Sequence, residues 1–137
     1  MELLIPNELS IEQQKAFDKY VQGENIFITG PGGSGKSALI RKIKEHSQKN
    51  IQVCALTGCA AILLNCKAKT LHSWAGIGLG NGPENLIITK ILHSNYKRKS
   101  WRETNVLIVD EVSMLSLKLF DLLDKIGKIT RKNPRPF

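Results

Sequence analysis

Apolar positions change their period along the chain, and the changes mark out alternating helices and strands. After Ser10, Ala16, Phe17, Tyr20 and Val21 recur at helical spacing, and Gly23 is the stop. The apolar run "NIFIT", residues 25–29, predicts a buried strand. Residues 37–46 predict a helix with Leu39, Ile40 and Ile43 inward, and residues 51–56 a second strand. Helical turns are expected over residues 58–65 and 70–74, and a longer helix over 84–92, set up by Pro83. Residues 105–109 are apolar throughout, which predicts a third strand covered on both faces. A last helix is expected over 115–129, with Leu115, Leu119, Leu122, Leu123 and Ile126 inward. Strands alternating with helices imply an α/β domain with a mainly parallel sheet.

The segment "TGPGGSGKS" follows the first of these strands and opens a helix. Residues 30–37 fit the pattern G-x-x-x-x-G-K-[ST], a phosphate-binding loop in its confirming context. Gly30, Gly32, Gly33 and Gly35, with Ser34 among them, let backbone amides turn around phosphate oxygens with no Cβ in the way. The helix that follows adds the positive end of its dipole. Lys36 is the residue that reaches the β- and γ-phosphates, and the Ser37 hydroxyl ligates magnesium. The nucleotide expected is ATP with Mg2+.

Asp110 and Glu111 end the third strand, where open α/β sheets bind their ligands. Asp110 is expected to hold the magnesium and Glu111 to activate a water for hydrolysis. An activated water is of no use to a small-molecule kinase, so Glu111 argues against that class. The same pair also suits the amino end of the next helix, whose dipole favours negative charge. Gln13 has two readings as well. Ser10 and Gln13 have the spacing of a capping box, and the Gln13 amide could bond the adenine edge.

Composition narrows the partner. The 137 residues carry a formal net charge of +8, which fits a polyanion. Thr57 and Gly58 end a strand at the ligand-facing edge, where a hydroxyl and a backbone amide can bond a phosphate. His72 could offer a ring to a base, whereas Trp74 is read as core. The run "YKRKSWR", residues 96–102, mixes four basic residues with two aromatics and could touch DNA, but is read first as a solvated loop leading into the third strand. Cys54, Cys59 and Cys66 make an odd count, consistent with reduced thiols inside a cell. No apolar run approaches the length of a membrane span. Cytoplasm, nucleus, mitochondrion and viral factory all fit.

These blocks together resemble superfamily one helicases. "LSIEQ" looks like their Q motif, "TGPGGSGKS" their motif I, "LTGCAA" their motif Ia and "DEVSML" their motif II. The segment "TLHSWAGIGLG", residues 70–80, is similar to a signature of the PIF (petite integration frequency) DNA helicases. That resemblance implies an ATP-driven motor moving 5′ to 3′ on single-stranded DNA and separating tailed duplexes, in repair, recombination or replication. It implies that Gln13 reads adenine, and that Thr57, Thr70 and His72 lie along the DNA path. Two departures stand out. Leu56 replaces a small hydroxyl residue before Thr57, and "NCKAKT" carries Lys67 and Lys69 in place of paired glycines.

The resemblance also implies a P-loop NTPase with a RecA-like parallel sheet flanked by helices, truncated before its later strands. Residues 1–137 would then be part of a first motor domain, without the second domain whose arginines reach the γ-phosphate. Loss of such an arginine costs roughly 10³ to 10⁵ in turnover. The chain is therefore expected to bind nucleotide, hydrolyse it poorly and unwind nothing. The alternatives are another P-loop enzyme or a non-catalytic nucleotide- or DNA-binding module. In the implied topology a central strand beside residues 25–29 is missing, which predicts that this chain self-associates through an unpaired sheet, while the parent is monomeric.

Overall fold

A capping box starts the first helix, α1 (Ile11–Val21). The Gln13 amide donates to Ser10 Oγ at 3.2 Å, and the Ser10 amide donates to Gln13 Oε1 at 2.9 Å. The computed structural model describes residues 9–29, 35–47, 49–64 and 67–136, in two units, 1–48 and 49–137.

In the first unit α1 packs on α2 (Lys36–His46). Phe17 is the buried residue of α1, and its ring meets His46 edge-on with centroids 5.1 Å apart. Tyr20 Oη donates to Ser47 Oγ at 2.7 Å. From α2, Leu39, Ile40 and Ile43 point inward as their spacing predicts. Val21 does not follow its stripe and is 57% exposed. Residues 25–29 correct a second expectation: they form no strand, and Phe27 is 74% exposed. An apolar run becomes a strand only when a neighbour completes its hydrogen-bond ladder, and no described strand pairs with this one.

The second unit is built on β1 (Ile51–Ala55), flanked by β2 (Lys69–Thr70) and β3 (Val106–Val109). All pairings are parallel and the order is β2-β1-β3. Ala55 lies beside Thr70, and Val53 beside Ile108. β1 buries Val53, Cys54 and Ala55 completely, as a central strand should. β3 is only half-buried along its length, because it is an edge strand with a neighbour on one side.

Helices α3 (Gly58–Leu64), α4 (Leu71–Ala75), α5 (Glu84–Leu92), α6 (Asn95–Glu103) and α7 (Leu117–Arg131) flank this sheet. Their core gathers Leu71, Trp74, Ile91, Trp101, Leu122 and Ile126. The run read as a solvated loop is α6. Ser94 caps it, and Trp101 is 5% exposed. Trp101 Nε1 donates to the Ala75 carbonyl at 3.0 Å, and Trp74 Nε1 to Thr104 Oγ1 at 3.1 Å. The two indoles lie 4.6 Å apart. Both NH groups are thus satisfied, which is what permits two tryptophans in one core. Leu115 lies in the turn after a short 3-10 segment, Val112–Met114, so the last helix starts two residues later than expected. No helix of the described residues is long and apolar enough to cross a membrane.

Candidate nucleotide and DNA site

Helix α2, like α5, begins without a side-chain cap, and it alone of the two is entered by a left-handed residue. Ser10, Thr70, Ser94 and Ser116 cap α1, α4, α6 and α7 with their hydroxyls. The residue before α2 is Gly35, at φ +85°, and no side-chain cap serves this end. The left-handed conformation suits glycine. A Cβ at Gly35 would also run into Gln13 Nε2 and displace that side chain's end. That nitrogen donates to the Gly35 carbonyl at 2.9 Å. Gln13 therefore caps its own helix with one end of its amide and holds the entry to α2 with the other.

Lys36 and Ser37 form the first turn of α2, and Ser37 is exposed. First-turn amides have no partner within their helix, and the dipole makes them a seat for an anion. Gly30, Gly32, Gly33 and Ser34 lie outside the described residues.

In the second unit, the Asp110 amide donates to the Cys54 carbonyl at 2.9 Å, extending the β1–β3 ladder by one residue. Asp110 is half-buried there. Glu111 is exposed and adopts φ +55°, a left-handed conformation that turns the chain out of β3 and into the 3-10 segment. Sequence reasoning did not anticipate that turn.

The remaining candidates sit where β1 and β2 end. Thr57 Oγ1 accepts from the Ala60 amide at 3.1 Å, inside α3, and Thr70 Oγ1 accepts from the Ser73 amide at 3.2 Å, capping α4. A hydroxyl that accepts from backbone keeps its proton for donation, so capping leaves each threonine able to bond a phosphate. Gly58 is exposed, and a Cβ there would meet nothing within 4 Å. His72 is half-buried on α4. Gly80, at φ +74°, folds back so that its Cβ position lies 3.3 Å from the His72 ring. The glycine-rich segment after α4 thus fits against the imidazole. Nearby, burial pushes the Cys54 thiol up to about 12, despite the opposing charge of Lys69. Cys59 is exposed, and Cys66 lies outside the described residues.

A sequence model of PIF1-like helicases matches residues 8–137. The chain belongs to the PIF1-like helicase family. It is 41% identical over 138 residues to the ATP-dependent DNA helicase PIF1 of Saccharomyces cerevisiae, covering 97% of this chain and 16% of that protein. The crystal structure of the Pif1 helicase from Candida albicans superimposes with a TM-score of 0.84 at 39% identity, over 98% of this chain and 30% of that one. Bacteroides sp Pif1 in complex with ADP-AlF4 gives 0.78 at 31% identity, over 99% and 30%. This chain therefore spans less than a third of each. Its three parallel strands and flanking helices match a part of the RecA-like fold of these helicases. The family expectation drawn from "TLHSWAGIGLG" is thus borne out.

Proposed function

We propose that this chain is the nucleotide-binding part of the first motor domain of a 5′-to-3′ DNA helicase. The carrying observation is the start of α2, where Gly35 enters left-handed, no side chain caps the helix, and Lys36 and Ser37 follow. In a PIF1-like helicase that arrangement is a seat for the phosphates of ATP. By their pattern in the sequence Gly30, Gly32, Gly33 and Ser34 are assigned to the same phosphates as Gly35, and Lys36 neutralises the phosphate charge. Gln13 braces Gly35 and offers its amide to the adenine edge.

Ser37 and Asp110 are each assigned to magnesium by their motifs, and a hydroxyl and a carboxylate are the hard oxygen donors that ion prefers beside phosphate and water. Magnesium, when bound, offsets charge on the phosphates. Glu111, exposed at the end of β3, accepts the proton of the attacking water. Thr57, Gly58, Thr70 and His72 contact single-stranded DNA, the threonines by donating to phosphate oxygens. The 137 residues bind nucleotide and unwind nothing by themselves, in keeping with the small share of the relatives that they span.

The test is ATP turnover by a protein extended to the length of its relatives, with and without single-stranded DNA, and with Lys36→Ala as control. Strong stimulation that Lys36→Ala abolishes supports the proposal. Turnover indifferent to DNA returns the chain to the wider pool of P-loop enzymes.

A further inference from the structure

A cleft of about 350 Å³ opens in the second unit between the start of β1, the short strand β2 and helix α6. Its chemistry is set by a few residues. Trp74 and Thr104, joined by their hydrogen bond, line its buried part. Lys69 and Lys99 line it as well, with Tyr96, which is 81% exposed. The Tyr96 hydroxyl makes no hydrogen bond among the described residues, and Lys69 makes no ion pair there. Glu103 lines the cleft too and pairs only loosely with Lys99, at 4.0 Å and with both side chains exposed, so the lining holds two lysines against one acid. Helix α6 itself carries Lys97, Arg98, Lys99 and Arg102 against the single acid Glu103.

We propose that this cleft holds a second stretch of single-stranded DNA, with phosphate at Lys69 and Lys99 and a base stacked on Tyr96. Proteins that bind single strands combine a basic groove with aromatic faces on which bases stack, because every base has such a face and every linkage a charge. Both elements meet here at a concave surface of suitable volume. The cleft begins at residues 50–52, where β1 starts, whereas Thr57, Gly58 and Asp110 lie at the far end of the strands. Lys69, next to Thr70 in β2, joins the two, so strand bound here would adjoin the proposed motor path and lead from it toward the start of β1.

Photocrosslinking tests this directly. An oligodeoxynucleotide carrying 5-iodouracil is irradiated with the 137-residue chain, and the attachment sites are mapped by peptide mass spectrometry. Attachment at Tyr96 is expected. The double variant Lys69→Glu, Lys99→Glu should lose that attachment and bind about tenfold more weakly, with a shallower salt dependence. Lys118→Glu, an exposed charge reversal on α7, should change affinity by less than about twofold. Far-ultraviolet circular dichroism checks the fold of each variant. Attachment confined to residues 57–58 and 70–72, no attachment at all, or an equal loss in Lys118→Glu would overturn the proposal. Displacement of the oligonucleotide by polyglutamate, without attachment at Tyr96, would assign the cleft to an acidic protein segment and overturn it too.

Discussion

The side-chain amide of Gln13 donates to the Gly35 carbonyl at 2.9 Å, tying the first turn of α1 to the residue that enters α2. Gln13 Oε1 meanwhile accepts from the Ser10 amide. The two jobs can be separated. Gln13→Glu keeps an acceptor at the third helical position, which is the usual capping-box residue, and loses the donor to Gly35. This variant should melt within about 1 kcal/mol of the parent chain, yet bind a fluorescent ATP analogue several-fold more weakly. Circular dichroism melts and a nucleotide titration check the two halves. Unchanged affinity in Gln13→Glu would remove the Gly35 contact from the nucleotide site.

Trp101 anchors α6 through both its ring and its Nε1 bond to Ala75. Trp101→Phe keeps most of the ring and strands the carbonyl, for an expected loss of about 1–3 kcal/mol. Trp101→Ala adds a cavity and should cost about 3–5 kcal/mol. Chemical denaturation monitored by circular dichroism measures both, and no loss in Trp101→Phe would show that the hydrogen bond is immaterial.

Cys54 is fully buried and its thiol is pushed up to about 12 from an ordinary 9.0. The folded state thus holds this proton after the unfolded chain has released it. Its contribution to stability is complete below about pH 9 and is lost as pH rises toward 12. At pH 8, iodoacetamide should modify exposed Cys59 and spare Cys54 until the chain unfolds. Site-mapped mass spectrometry at rising denaturant reads this out, and early labelling of Cys54 would contradict its burial.

Among the described residues strand β3 has a partner on one side only, and Phe27 is exposed in a segment that forms no strand. Unpaired strand edges and apolar runs seek other chains. Concentration-dependent self-association is expected in light scattering at micromolar concentrations. A monodisperse monomer at every concentration would contradict it.

Much of this was legible because local chemistry decided it. Ser10 with Gln13, Gly35 ahead of Lys36, and the apolar spacing of Leu39, Ile40 and Ile43 each fix structure within a few residues. What failed depended on neighbours distant in the chain. Residues 25–29 have strand propensity but no described ladder to join. The basic run 96–102 read as solvated because its four cations hid a helix whose buried face is Trp101. Ser94 as a cap and the Lys97–Trp101 spacing were the available signals. The bond from Gln13 to Gly35 joins residues 22 apart in the chain, so spacing raised the capping box and the adenine edge but not this contact. The family, by contrast, rested on ordered motifs whose spacing tolerates such local errors.

The most direct measurement is binding of a fluorescent ATP analogue to the 137-residue chain in magnesium, compared with Lys36→Ala. Saturable binding that weakens at least about tenfold in Lys36→Ala is expected, because one charge-assisted contact to phosphate is worth about 1.5–3 kcal/mol. Equal binding by both proteins, or none by either, would contradict the assignment of the α2 amino end as the phosphate seat.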